Sequence, residues 1–63
     1  MNTKSIAPPP IPRGWRIIKS GERIPKTYRY WHASAAEIGW RETTSLAGQK
    51  LSKYAMATFI RRK

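Results

Sequence analysis

The aromatic residues set the frame for this chain. Three Trp, three Tyr and one Phe all lie between Trp15 and Phe59, and nearly all the large aliphatic residues share that window. They come in short runs whose side chains alternate. Trp15-Arg16-Ile17-Ile18 puts Trp15 and Ile17 on one side of a strand and Arg16 and Ile18 on the other. Thr27-Tyr28-Arg29-Tyr30-Trp31 is the strongest strand signal, being aromatic and β-branched. Tyr28 and Tyr30 share one of its faces; Arg29 and Trp31 share the other. Glu37 to Thr43 alternates again, with Ile38 and Trp40 opposite Arg41 and Thr43. Gly39 within it points to a bulge or a close backbone approach. The β-formers ending Tyr54 to Ile60 favour a strand over about residues 57–62.

Turn chemistry separates these runs. Ser20-Gly21-Glu22 suits a tight turn, with Glu22 completing it or pairing with a nearby Arg. Pro25 keeps Ile24 extended and bars it from a central ladder position. His32 to Ala36 reads as a loop or a single helical turn. Ser45 to Lys53 reads as a connection with room for a short helical turn, which Gly48 weakens by about 1 kcal/mol. The pattern predicts a mainly β domain over residues 14–63, with four short strands in an antiparallel meander or a small open barrel. Its expected core is Trp15, Ile17, Ile24, Tyr28, Tyr30, Ile38, Trp40, Leu51 and Phe59. Residues 1–13 are a separate, flexible arm. Pro8, Pro9, Pro10 and Pro12 favour an extended polyproline path and lack backbone donors. Such an arm is either a disordered leader or a segment that orders on a partner.

Size and composition narrow the function. A chain of 63 residues holds one domain. At this length folding buries only about 60% of the unfolded surface, leaving little for a supported catalytic cleft. There is no Cys, the acids are Glu22, Glu37 and Glu42, and His32 is the one histidine. A thiolate or His–carboxylate metal site and a Ser-His-Asp triad therefore lack their parts. The expectation is a binding protein with no catalytic residues, no metal and no cofactor. No run approaches the roughly 18 apolar residues of a membrane helix, and no secretory h-region is present. The expected location is the cytoplasm, and no membrane partner is expected.

The charge balance suggests a partner. Thirteen Lys and Arg against three acids give a formal net charge of +10. Such an excess favours phosphate, because each neutralised phosphate releases condensed counterions. If Trp15, Ile17, Tyr28, Tyr30, Ile38 and Trp40 point inward, Arg16, Arg29 and Arg41 point outward with Trp31 beside them. Arginines that track phosphates and a ring that stacks on bases suit nucleic acid, DNA or RNA. Arg61 and Arg62 would add phosphate contacts without sequence specificity. The same residues also fit a solvated face with Trp31 capping the core edge. An acidic protein surface is the alternative partner, reached by the same electrostatics.

Gly14-Trp15-Arg16-Ile17-Ile18, then Gly21-Glu22-Arg23-Ile24, resembles a pattern in small phage and bacterial proteins. It reads G-(Y/W)-R-(L/I)-(L/I)-x-x-G-E-x-I-x-x-G-D-x-(Y/W), with a later Gly-Trp and a closing Arg-Arg. Gly39-Trp40 and Arg61-Arg62 match the later elements, so the resemblance covers residues 14–62. Thr27-Tyr28 replaces the Gly-Asp turn of the pattern, so the turn there must differ. The resemblance implies a small β-rich fold and a phage or prophage origin, with the host cytoplasm as location. It is also consistent with a small protein that binds and modulates or inhibits a host protein.

Overall fold

In the computed structural model, which describes residues 7–35 and 37–63, four antiparallel strands form one open sheet. They are β1 (Trp15–Ile17), β2 (Tyr28–Trp31), β3 (Arg41–Thr43) and β4 (Thr58–Arg62). The mainly β class read from the alternating runs is the one observed. The strand order is β1-β4-β2-β3, so the strands do not lie side by side in chain order as in a plain meander. The last strand fills the centre of the sheet. A 3-10 turn at Ala33–Ala35 follows β2, where the sequence allowed a loop or one helical turn.

The register assigns each side chain to a face. Tyr28 lies opposite Arg61 and Thr43, and Arg16 opposite Arg61. Tyr30 lies opposite Phe59 and Arg41. These residues share the first face. There Ile18, Ile24, Tyr28 and Phe59 form the main core, with Tyr30, Leu46, Leu51 and Ala57 packed against it. The cover comes from two loop segments that bond to each other. Gly21 N–H donates to the Leu51 carbonyl at 2.8 Å, and Ile24 N–H to the Gln49 carbonyl at 2.8 Å. Gly48 returns a bond to the Ile24 carbonyl at 2.7 Å, and its φ of +86° suits a residue without a Cβ. The Tyr28 hydroxyl accepts from Leu46 N–H at 2.9 Å, which fixes the loop to the sheet.

The second face carries Ile17, Ile60, Arg29 and Glu42 in one row and Trp15 opposite Arg62 in the next. Continuing the β2–β3 register by one residue sets Trp40 opposite Trp31. Trp15, Trp31 and Ile60 are buried here. The proline segment meets this face. Trp40, next to one edge strand, donates its indole N–H to the Pro10 carbonyl at 3.0 Å. Trp15, on the other edge strand, donates its backbone N–H to the Pro12 carbonyl at 3.1 Å. Pro12 to Trp15 is a tight turn with Gly14 at a φ of +87°, so Pro12 stands at the outer edge of β1 while Pro10 reaches the Trp40 indole. Within the arm read over 1–13, Pro10 and Pro12 thus accept hydrogen bonds from the domain. Residues 1–6 of that arm lie outside the described residues.

This second layer changes the core. Ile24, Tyr28, Phe59 and Trp15 are buried as expected, and Tyr30, Trp40 and Leu51 are partly so. Ile17 and Ile38 are instead 49% and 60% exposed, while Ile18, Trp31 and Ile60 are buried. Ile17 sits on the open edge strand. Gly39 has a φ of +83° and precedes β3 rather than lying within it. Its turn separates Ile38 from the strand and sets Trp40, not Arg41, beside Trp31.

Candidate nucleic-acid interface

The residues expected to form one basic sheet face do not share a surface. Arg16, Arg61 and Arg41 belong to the first face and Arg29, Arg62 and Trp31 to the second. Trp31 is only 5% exposed, and its indole N–H is buried without a hydrogen-bond partner. A base cannot stack on a ring so covered. Arg29 bonds to Glu42 across the β2–β3 pair, at 2.9 Å from Nη2 and 3.1 Å from Nε. Its guanidinium also lies 4.7 Å from the Trp15 ring centre, and that of Arg62 lies 5.4 Å away. These contacts suit a cation over an indole face. Arg41 is exposed at the far edge of the sheet.

Arg16 and Arg61 are gathered by Glu22. The two arginines are directly opposite on β1 and β4, where like charges repel. Glu22 reaches between them from the turn after β1. Arg16 grips both carboxylate oxygens, Nη1 to Oε1 at 3.1 Å and Nη2 to Oε2, and Arg61 Nη1 donates to Oε2 at 3.1 Å. Lys19 N–H donates to Oε1 at 3.0 Å, and Glu22 N–H donates to the Lys19 carbonyl at 3.0 Å. The two roles expected for Glu22, turn and ion pair, are both filled.

The Arg16 guanidinium, helped by the Lys19 amide and by Arg61, lowers the Glu22 carboxyl from 4.5 to about 2. The same contact raises the Arg16 guanidinium. A carboxyl whose pKa is depressed on folding stabilises the fold above its unfolded value and ceases to do so as pH falls through its folded value. Glu22 therefore contributes above about pH 4.5 and loses its contribution toward pH 2. Urea midpoints measured across that window should fall in the parent and fall less steeply in Glu22→Gln. Parallel curves would show that the network does not couple to folding. At neutral pH the variant should also be less stable, because it leaves Arg16 facing Arg61.

Beside this network, the open edge of β1 borders a groove of about 800 Å³. Arg13, Arg16, Lys19 and Lys63 line it, together with Ile17 and Glu22. Chain pairing brings these distant residues together. Lys63 N–H donates to the Gly14 carbonyl at 2.9 Å, and Ile18 N–H to the Phe59 carbonyl at 2.8 Å. Those bonds place Arg16 in the hydrogen-bonded pair with Arg61. Ile17 then turns its N–H away from β4, toward the groove. Among the described residues, Arg13, Lys19 and Lys63 have no carboxylate partner within ion-pair distance. The site thus offers cationic side chains and an outward backbone donor, the chemistry that holds a phosphate.

Of the sequence candidates, Arg16 alone lines this groove. In the sequence Arg13, Lys19 and Lys63 are only part of the basic balance. What joins them is the pairing of the first strand with the last, which the alternation does not specify. Among the described residues no group of three or more potential ligands could hold a metal ion, and no helix is long and apolar enough to cross a membrane. Comparison with protein-family models, curated proteins and solved structures gave no match.

Proposed function

We propose that this chain is a non-enzymatic basic module that binds the phosphate backbone of a nucleic acid through the groove beside β1. The observation that carries the reading is the convergence of Arg13, Arg16, Lys19 and Lys63 around an open strand edge. The net charge of +10 supports it, because a field of that sign raises the local concentration of polyanions. The outward Ile17 N–H adds a donor that cannot move away. In this reading the protein works in the cytoplasm, which is the host's cytoplasm if the resemblance to phage-type proteins reflects its origin.

Salt dependence is the test. Fluorescence anisotropy of labelled single-stranded DNA, duplex DNA and RNA should show affinity falling linearly with salt on a log–log plot. Three to four phosphate contacts predict a slope of magnitude about 2 to 4. Binding that is absent at low salt, or that does not change with salt, would overturn the reading and leave an acidic protein surface as the partner to test next.

A further inference from the structure

The turn after Ser52 carries an aromatic ring that the rest of the chain leaves uncovered. Tyr54 is 77% exposed and Met56 85% exposed. Their backbone is held in place: Tyr54 N–H donates to Ser52 Oγ at 3.0 Å, and Ala55 N–H to the Ser52 carbonyl at 3.1 Å. A cation lies beside the ring: Lys53 Nζ is 5.2 Å from its centre. Lys50, three residues before Lys53, pairs with Arg23 across an isolated bridge, and both are exposed.

A groove of about 330 Å³ opens beside this turn. Leu46, Leu51, Met56 and Phe59 form its apolar walls, and Gln49 and His32 supply polar groups. Among the described residues no carboxylate lines it. His32 Nδ1 accepts the Ser34 N–H at 3.0 Å, so in the neutral ring Nε2 carries the proton and is a donor. The volume lies at the small end of ligand sites, suited to one flat heterocycle. Gly21 N–H donates to the Leu51 carbonyl, which sets the turn bearing Lys19 against the segment that leads to Ser52.

We propose that Tyr54 and the adjoining groove form a base-stacking site for single-stranded nucleic acid. The Tyr54 ring stacks on one base, the groove takes a neighbouring base, and Arg23, Lys50 and Lys53 hold the phosphates between them. The inference rests on the nucleic-acid reading above and adds strandedness to it. Charge complementarity selects this occupant: Lys50 lines the apolar groove, Arg23 is bridged to it and Lys53 lies by the Tyr54 ring, and a single strand offers both unpaired base faces and phosphates. A duplex keeps its base faces stacked inside.

The test compares full-length parent, Tyr54→Ala and Tyr54→Phe on labelled oligo-dT and on a duplex hairpin at one salt concentration. Stacking is worth about 1–3 kcal/mol per base, so Tyr54→Ala should weaken oligo-dT binding about 5- to 150-fold. Duplex affinity should not change, and Tyr54→Phe should bind oligo-dT like the parent, because it keeps the ring. Tyr54 is too exposed for its truncation to threaten the fold, which far-UV circular dichroism would verify. Equal losses on both probes, or no loss on oligo-dT, would overturn the stacking site while leaving the basic groove intact. A parent chain that binds neither probe at low salt would overturn the proposed function itself.

Discussion

Truncating Ile60 to Ala is expected to leave the chain largely unfolded at room temperature. Ile60 is fully buried in the central strand β4, opposite Ile17 on one side and Arg29 on the other. Deleting that much buried aliphatic volume costs about 2–5 kcal/mol, because lost transfer energy adds to the cavity left behind. A core in a domain this small rarely supplies more than about 3–5 kcal/mol. The net charge of +10 weakens the compact state further by self-repulsion. Ile17→Ala is the matched control. Ile17 shares the Ile60 row but lies half exposed at the open edge, so its truncation should cost well under half as much. Urea unfolding followed by circular dichroism reads both. A cooperative transition in Ile60→Ala with a midpoint near the parent's would show that the second face is not a core.

That control also marks where the sequence could be read and where it could not. Alternation identifies a strand with one wet face. It found β2 and put Tyr28 and Tyr30 on one core face, but it set Trp15 and Ile17 on that same face, whereas the register places both on the second. It fails where both faces are covered, because a doubly buried strand reads as a continuous apolar run. Phe59 and Ile60 are such a run at the centre of the sheet, and Trp31 is buried beside Tyr30 for the same reason. The proline segment bonds to this face. Its prolines favour an extended path, but nothing local to them shows that Trp40 will hold the Pro10 carbonyl from 30 residues away. Once that segment is taken for a detached arm, the second face is expected to be open.

The site was hidden by the same geometry. Arg16, Arg29 and Arg41 were grouped by strand parity, and parity depends on where each strand begins. Gly39, with its positive φ, ends one extended stretch before β3 starts. Trp40 and Arg41 still take opposite faces, but Trp40 shares its face with Trp31 rather than with Tyr30, because alternation within one strand does not say which face of the next it matches. Three acids among so many cations also had a consequence that composition conceals. Glu22 and Glu42 take up Arg16, Arg61 and Arg29, so the arginines best placed on the strands are those with carboxylate partners. The cations without such partners stand at strand ends and in turns, as Arg13, Lys19 and Lys63 do.

Neutralising those three should produce the largest change in binding. Arg13, Lys19 and Lys63 are all exposed, so an Arg13→Gln, Lys19→Gln, Lys63→Gln chain should fold like the parent. Arg16 stays in place, held by Glu22. On a single strand each lost phosphate contact reduces the salt slope by about 0.7, so the triple variant should lose about 2 from its slope. Extrapolated from 1 M salt, that is a loss of about 100-fold in affinity near ~0.1 M. Removing charge anywhere weakens a purely diffuse attraction, so location must be tested separately. Lys26 and Arg41 are exposed and lie outside the residues lining the β1 groove. A Lys26→Gln, Arg41→Gln chain should bind nearly as the parent does. If it loses as much affinity per charge removed as the triple variant, the polyanion senses only the net charge, and the groove beside β1 is not where it binds.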